Sequence, residues 1–254
     1  MSRVYKNSSR TPSVAFLKAF VSFVRFRIAS RRKDKAGHFR HALDLLEHLS
    51  GDYPVRTFTR LKATNFARQV LDEEQYLPTL LSKTNELKAL PKNSLGRLYY
   101  ELNEGKEDIF TTLSSHMYIE KYTYEYARFL RRNFSVHDMV HLVMGFDRTS
   151  FGEANVGVAL SHGGASPHWK NLFLMPLVFS KIFEGKRKFF VMAWKIIFTE
   201  TPKRCEAIDN WDLIHWETLL NKDIDEIRKE MKIPEAVLYN PKLFFIKEDL
   251  VNTE

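Results

Sequence analysis

The stretch Val136 to Glu153, VHDMVHLVMGFDRTSFGE, constrains the fold more than any other part of this chain. His137 and His141 stand four apart, Asp138 lies between them, and Glu153 follows twelve residues after the second histidine. Residues four apart share one face of an α-helix, so both imidazoles reach one divalent cation if this segment is helical. Glu153 joins them if the chain turns between Gly145 and Ser150 and comes back on a second helix. The spacing thus asks for two helices packed across a short turn.

Two readings of these residues stand side by side. Ser150-x-x-Glu153 has the form of a capping box, in which Glu153 only closes the start of a helix, and the histidines are a polar stripe. In the other reading His137, His141 and Glu153 form a two-histidine, one-carboxylate metal set. Asp138 is then either a fourth ligand or the acceptor that orients an imidazole. Zn²⁺ suits these donors, and ligand type also admits Fe²⁺, Mn²⁺ or Mg²⁺. The pattern is close to the H-E-x-x-H of metallopeptidases, but Asp138 stands where the general-base Glu would be. Its shorter side chain does not reach the same water, which argues against peptidase activity.

The rest of the sequence reads as helical. Thr57 to Val70, Glu73 to Leu90 and Pro91 to Glu101 carry helical patterns; Asn93 or Ser94 caps the last, and Gly96 allows close approach by another backbone or a ligand. Ser114 to Asn133 is expected as a long aromatic helix, with Tyr118, Tyr122, Tyr126 and Phe129 along one stripe. Trp169 to Phe183 and Lys186 to Phe198 are the most apolar segments of the second half, either a buried pair or the walls of an apolar tunnel. Asn210 to Lys232 carries Trp216, Leu219, Leu220, Ile224 and Ile227 at amphipathic spacing, and Pro234 ends it. With no internal repeat, linker or low-complexity tract, the expectation is an all-α, single-domain fold over 1–254, irregular at 1–10 and 235–254. Its long amphipathic and aromatic helices would surround an apolar pocket. Twenty Phe and ten Tyr imply a thick aromatic core or such a cavity.

The net charge of +8 favours an anionic partner such as phosphate, nucleic acid or an acidic membrane. The cations are dispersed among aromatics without a recognition motif, so nucleic acid is not expected. No acidic residue precedes Asp34. Within that span Ser13 to Ala29 is apolar but interrupted by Lys18, Arg25 and Arg27, which speaks against a membrane span. It reads as an amphipathic helix with Val14, Leu17, Val21, Val24 and Ile28 on its apolar side, either a core helix or one that touches a membrane surface. An acid-free, Arg- and Ser-rich start also describes organellar transit peptides, whereas a helical pattern continuing into Phe39 to Leu49 describes a folded segment. The single cysteine, Cys205, allows no internal disulfide and points to a reducing compartment.

H-D-x-x-H followed by eleven residues and Glu, here His137, Asp138, His141 and Glu153, resembles the signature of the ubiquinone (coenzyme Q) biosynthesis protein 4 family. Upstream, Leu95-Gly96 to Tyr99 looks like its L-G-x-x-Y segment. Downstream, Trp216-Glu217, Arg228 and Ile233 are similar to its W-E...R-x-x-x-x-I pattern. Met139 and Val140 stand where the family often has an aromatic. The resemblance implies a mostly helical protein that binds a divalent metal, commonly zinc, through those four positions. It further implies membrane-peripheral association, cytoplasmic at the inner membrane or on its matrix side in a mitochondrion. A prenylated quinone precursor or isoprenoid lipid is the implied ligand, with other quinone-biosynthesis enzymes, or a second copy of the chain, as partners. Action on the ring C1 carboxylate, by decarboxylation and hydroxylation, is the implied chemistry, and a non-catalytic lipid-binding scaffold with a structural metal is the alternative. Candidate lipid contacts are Gly96, Tyr99, Tyr122, Leu172, Phe173, Phe179, Phe189 and Trp194.

Overall fold

The computed structural model of the chain describes residues 53–71, 75–104, 122–163 and 196–234, with positions 18, 21–25, 28, 29, 32 and 41. It is all-α, with no β-strand among the described residues. In chain order the helices are α1 (Tyr53–Lys62), α2 (Ala67–Leu71), α3 (Leu77–Ser82), α4 (Thr84–Ala89), α5 (Leu95–Asn103), α6 (Tyr124–Met144) and α7 (Ser150–His162). A π-helical segment (Ile196–Glu200), α8 (Thr201–Arg204), two 3₁₀ turns (Trp211–Leu213 and Trp216–Thr218) and α9 (Ile224–Glu230) follow.

Helix α6 is the axis, because its apolar residues recur at spacings of three and four on two faces. Val136, Met139, Val140, Val143 and Met144 are fully buried in the cluster that also holds Leu77, Leu95, Tyr99, Val156, Leu160, Trp211, Trp216 and Ile227. Toward its N-terminus, Tyr126 and Phe129 pack with Phe58, Leu61 and Val70 of α1 and α2. Phe58 meets Tyr126 edge-on, with ring centroids 5.2 Å apart.

A helix end leaves four carbonyls without partners, and at the C-terminus of α6 all four are satisfied. Gly145, at φ 71°, adopts the left-handed conformation that glycine tolerates. Its N–H donates to Leu142 O at 3.2 Å, and Phe146 N–H donates to His141 O at 3.0 Å. Arg228 of α9 donates to Val143 O (2.9 Å) and Leu142 O (3.0 Å), and Arg204 donates to Met144 O (2.9 Å). Two cations at this end also complement the helix dipole. Halfway along α6, fully buried Arg132 forks onto Glu217 at 2.7 and 3.0 Å and donates to Asp212 O and Ile214 O. The conspicuous C-terminal residues Trp216, Glu217 and Arg228 are therefore the struts of the helix that carries the histidines.

Several expected elements are subdivided. Thr57 to Val70 is two helices joined by a turn, and Glu73 to Leu90 is α3 and α4 broken at Lys83, whose ψ of 64° leaves the helical region. Within the described residues the aromatic helix begins at Tyr124, so Tyr122 precedes it, and it continues unbroken into the histidine motif. Asn210 to Lys232 is not one helix. Residues 220 to 224 run instead along the start of α5: Leu95 N–H donates to Lys222 O, Gly96 N–H to Leu220 O and Ile224 N–H to Asn93 O. The unpaired first amides of α5 need those carbonyls, and that tertiary demand overrides the helical spacing. Ser94 is the cap of α5, and Asn93 turns to Asp223.

No helix among the described residues is long and apolar enough to cross a membrane. Positions 21–25, 28 and 29 are helical, as expected of the N-terminal amphipathic segment. Of its described residues, Val21, Val24 and Ile28 are 40%, 39% and 45% exposed, whereas Ser22 and Ala29 are buried.

Candidate metal centre

The turn between α6 and α7 decides where Glu153 points. Asp147 Oδ1 accepts from Thr149 N–H (3.1 Å) and Oγ1 (2.6 Å), and Thr149 Oγ1 caps α7 by accepting from Gly152 N–H (3.2 Å). The cap is thus one residue before Ser150, the capping box is not formed, and Glu153 sits in the first turn with its side chain uncommitted to the backbone. Gly152 permits the tight return, since a Cβ there would lie 1.9 Å from Asp147 O.

Glu153 then lies across both histidines. His137 Nε2 is 3.2 Å from Oε2 and His141 Nε2 is 3.4 Å from Oε1. The imidazoles are edge to face, 4.7 Å apart. The opposite ring nitrogens fix the tautomers. His141 Nδ1 lies 3.1 Å from Phe146 O, a pure acceptor, so Nδ1 carries the proton and Nε2 its lone pair. His137 Nδ1 faces Asp138 Oδ1 at 3.3 Å in the same sense.

Electrostatics favour a cation. Burial pulls the His137 pKa down, but hydrogen bonds to Asp138 and Glu153, and their charges, outweigh it and hold the ring up at about 9. Burial pushes Glu153 up, yet its contacts with His137 and His141 leave it well below the usual carboxylate range. Asp138 is likewise lowered, burial being outweighed by His137 and Arg148. A proton on His137 occupies the place a metal would take.

His137, His141 and Glu153 offer three ligand atoms within 4.8 Å of one another. The donors of a tetrahedral Zn²⁺ site with bonds of about 2.0–2.1 Å stand about 3.3–3.4 Å apart. The separations of 3.2 and 3.4 Å, each to a different oxygen of Glu153, are close to that edge. His141 Nε2 is buried without a hydrogen bond of good geometry, which leaves its lone pair available to a cation. The donor set is one that could hold a divalent cation.

Asp138 is turned elsewhere: its Oδ2 accepts from Arg148 Nη2 at 2.9 Å, and that nitrogen also donates to Asn103 Oδ1 at 2.8 Å. Arg148 and Asn103 carry no signal in the sequence, because no local spacing connects α5 with the turn. Gly96 is spent on protein contact, its absent Cβ making room for the Leu220 carbonyl at 2.9 Å. Tyr99 is buried in the core, and Tyr122 packs edge-on against Tyr126 at 5.4 Å. Leu172, Phe173, Phe179, Phe189 and Trp194 lie outside the described residues.

Fold and site together define an all-α protein with a partly buried His₂–carboxylate cluster on two helices joined by a short turn. Residues 50–236 match the family model for coenzyme Q (ubiquinone) biosynthesis protein Coq4. The chain belongs to that family, a family of ubiquinone biosynthesis. It is similar to the mitochondrial ubiquinone biosynthesis protein COQ4 of Saccharomyces cerevisiae strain AWRI1631, with 25% identity over 174 residues covering 65% of this chain and 48% of the relative. The Lachancea thermotolerans protein of that name is 29% identical over 189 residues, covering 68% and 52%. The Culex quinquefasciatus COQ4 homolog 1 is 25% identical over 187 residues, covering 70% and 62%. The chain thus spans about half the length of the yeast relatives. A crystal structure from Nostoc punctiforme, of a protein ascribed to ubiquinone biosynthesis, shares the fold with TM-score 0.59 and 16% identity, over 86% of this chain and 98% of that one.

Proposed function

We propose that this protein is a metal-dependent, membrane-peripheral component of ubiquinone biosynthesis that binds a prenylated quinone precursor. The observation that carries the reading is the meeting of His137, His141 and Glu153, with one ligand atom of each within 4.8 Å of the others, inside the family-matched region. These three side chains would hold a divalent cation, for which Zn²⁺ fits best. Bound there, the cation supplies Lewis acidity toward a ring carboxylate or hydroxyl oxygen. The chain's own contribution is placement: Phe146 O and Asp138 orient the imidazoles, and the α6–α7 turn presents Glu153.

The chemistry proposed is exchange of the ring C1 carboxylate for hydroxyl. Its balance consumes dioxygen and a two-electron reductant, and releases CO₂ and water. The prenyl tail would lie against the apolar segments, each buried CH₂ contributing about 0.8 kcal/mol. The exposed Val21, Val24 and Ile28, with Lys18, Arg25 and Arg32 exposed beside them, support docking on an anionic membrane surface. Relatives named mitochondrial support a mitochondrial setting, and the surface proposed is that of the inner membrane, where other enzymes of the pathway would be partners.

A non-catalytic scaffold with a structural metal is the second reading, favoured by how fully the centre's supports are built into the core. Mass spectrometry of lipid that co-purifies, followed by turnover of a prenylated 4-hydroxybenzoate with a reductant and dioxygen, separates the two. An enzyme releases CO₂ from the ring carboxyl; a scaffold binds the lipid and leaves the carboxyl intact. Absence of any isoprenoid from the purified protein, together with no binding of one added, contradicts both.

A further inference from the structure

We infer that Asp138 orients His137 from behind and does not ligate the metal, and that Arg148 and Asn103 are positioning residues that hold it there. The inference rests on the metal reading above. Adjacent residues on a helix point about 100° apart, so Asp138 leaves α6 in a different direction from the face that His137 and His141 share. Both its oxygens are already engaged: Oδ1 with His137 Nδ1 at 3.3 Å, and Oδ2 with Arg148 Nη2 at 2.9 Å.

The clamp is anchored at its far end. Arg148 Nη2 donates to Asn103 Oδ1 at 2.8 Å, and Asn103 Nδ2 donates to Tyr99 O at 3.1 Å within the last turn of α5. A relay therefore runs from the backbone of α5 through Asn103, Arg148 and Asp138 to the His137 ring. Carboxylate–histidine–metal relays of this kind fix ring orientation and raise ligand basicity. Two consequences follow. The protein supplies three donors, leaving a coordination position open. Two neutral imidazoles and one carboxylate leave a divalent centre with one net positive charge, because the Asp138 charge is balanced by Arg148. That favours an anionic oxygen ligand, such as a carboxylate, at the open position.

The test uses Co²⁺ as a spectroscopic probe in the full chain, with Zn²⁺ affinity from chelator competition. Asp138→Asn keeps an acceptor for His137, so it is expected to bind one Co²⁺ with the wild-type visible bands, and Zn²⁺ about 10- to 100-fold more weakly. Arg148→Gln is expected to weaken Zn²⁺ binding about tenfold, Arg148→Lys to restore part of it, and Arg148→Gln on top of Asp138→Asn to add less than twofold. A merely electrostatic Arg148 gives the opposite sign, since removing a cation strengthens binding of a dication. Changed Co²⁺ bands or lost stoichiometry in Asp138→Asn, tighter binding in Arg148→Gln, or additive losses in the double variant overturn the inference while leaving the metal site standing. A wild type that binds no metal overturns the metal reading, and this inference with it.

Discussion

Gly152→Ala tests whether the α6–α7 turn sets the centre. The added Cβ would begin 1.9 Å from the Asp147 carbonyl oxygen, and real Cβ contacts stop near 3.0 Å, so the two must separate by at least 1.1 Å. That oxygen belongs to the residue whose side chain holds the Thr149 cap, so the start of α7 must move or the cap must open. Overpacking of this kind costs about 1–3 kcal/mol of stability. The larger effect falls on Glu153, the next residue. Metal–ligand distances are held to about ±0.2 Å, and a displacement several times that removes or distorts one of three donors. Zn²⁺ affinity is expected to fall at least tenfold, about 1.4 kcal/mol, by competition with a chromogenic chelator. Urea melts of the metal-free protein report the stability term separately. A Gly152→Ala protein that folds and binds Zn²⁺ within twofold of wild type refutes the argument that this turn aims Glu153.

Two further predictions concern the supports. Glu217→Gln leaves Arg132 charged at zero exposure and is expected to cost about 3–5 kcal/mol in urea denaturation, whereas Lys62→Ala, which breaks a pair exposed by about half, costs less than about 1 kcal/mol. Equal costs would contradict the burial argument. Asp212 is pushed up to about 7 by burial, against the pull of Arg132. Between its ordinary pKa of about 4 and about 7 the folded state keeps a proton that the unfolded chain has lost, so stability falls as pH rises through that window, by at most about 4 kcal/mol. Asp212→Asn should remove that slope, and curves for the two proteins that stay parallel from pH 4 to 7 would contradict it.

The all-α class and the helix carrying His137 and His141 were legible because helical periodicity is a local signal. So was Gly96 as a point of close backbone approach. The standing of Glu153 was not: S-x-x-E at Ser150 has the form of a cap, and only the Asp147–Thr149 turn moves the cap back one residue and frees the carboxylate. Asp138 shows the same limit. Its role depends on Arg148 and Asn103, ten and thirty-five residues away, brought beside it by the packing of α5 on α6. The misread helix at Asn210 to Lys232 is a third case. Trp211 and Trp216 are buried, each indole N–H donating to a carbonyl at 2.9 Å, in turns whose spacing imitates an amphipathic helix. What sets that segment is the need of α5 for acceptors, which no local pattern reveals.

The proposed function stands on His137, His141 and Glu153 holding one divalent metal. Elemental analysis of the purified chain after equilibration with Zn²⁺ and removal of loose ion tests it most directly. One Zn²⁺ per chain is expected in wild type and none retained by His141→Ala. No retained metal in wild type, or the same content in His141→Ala, would contradict it.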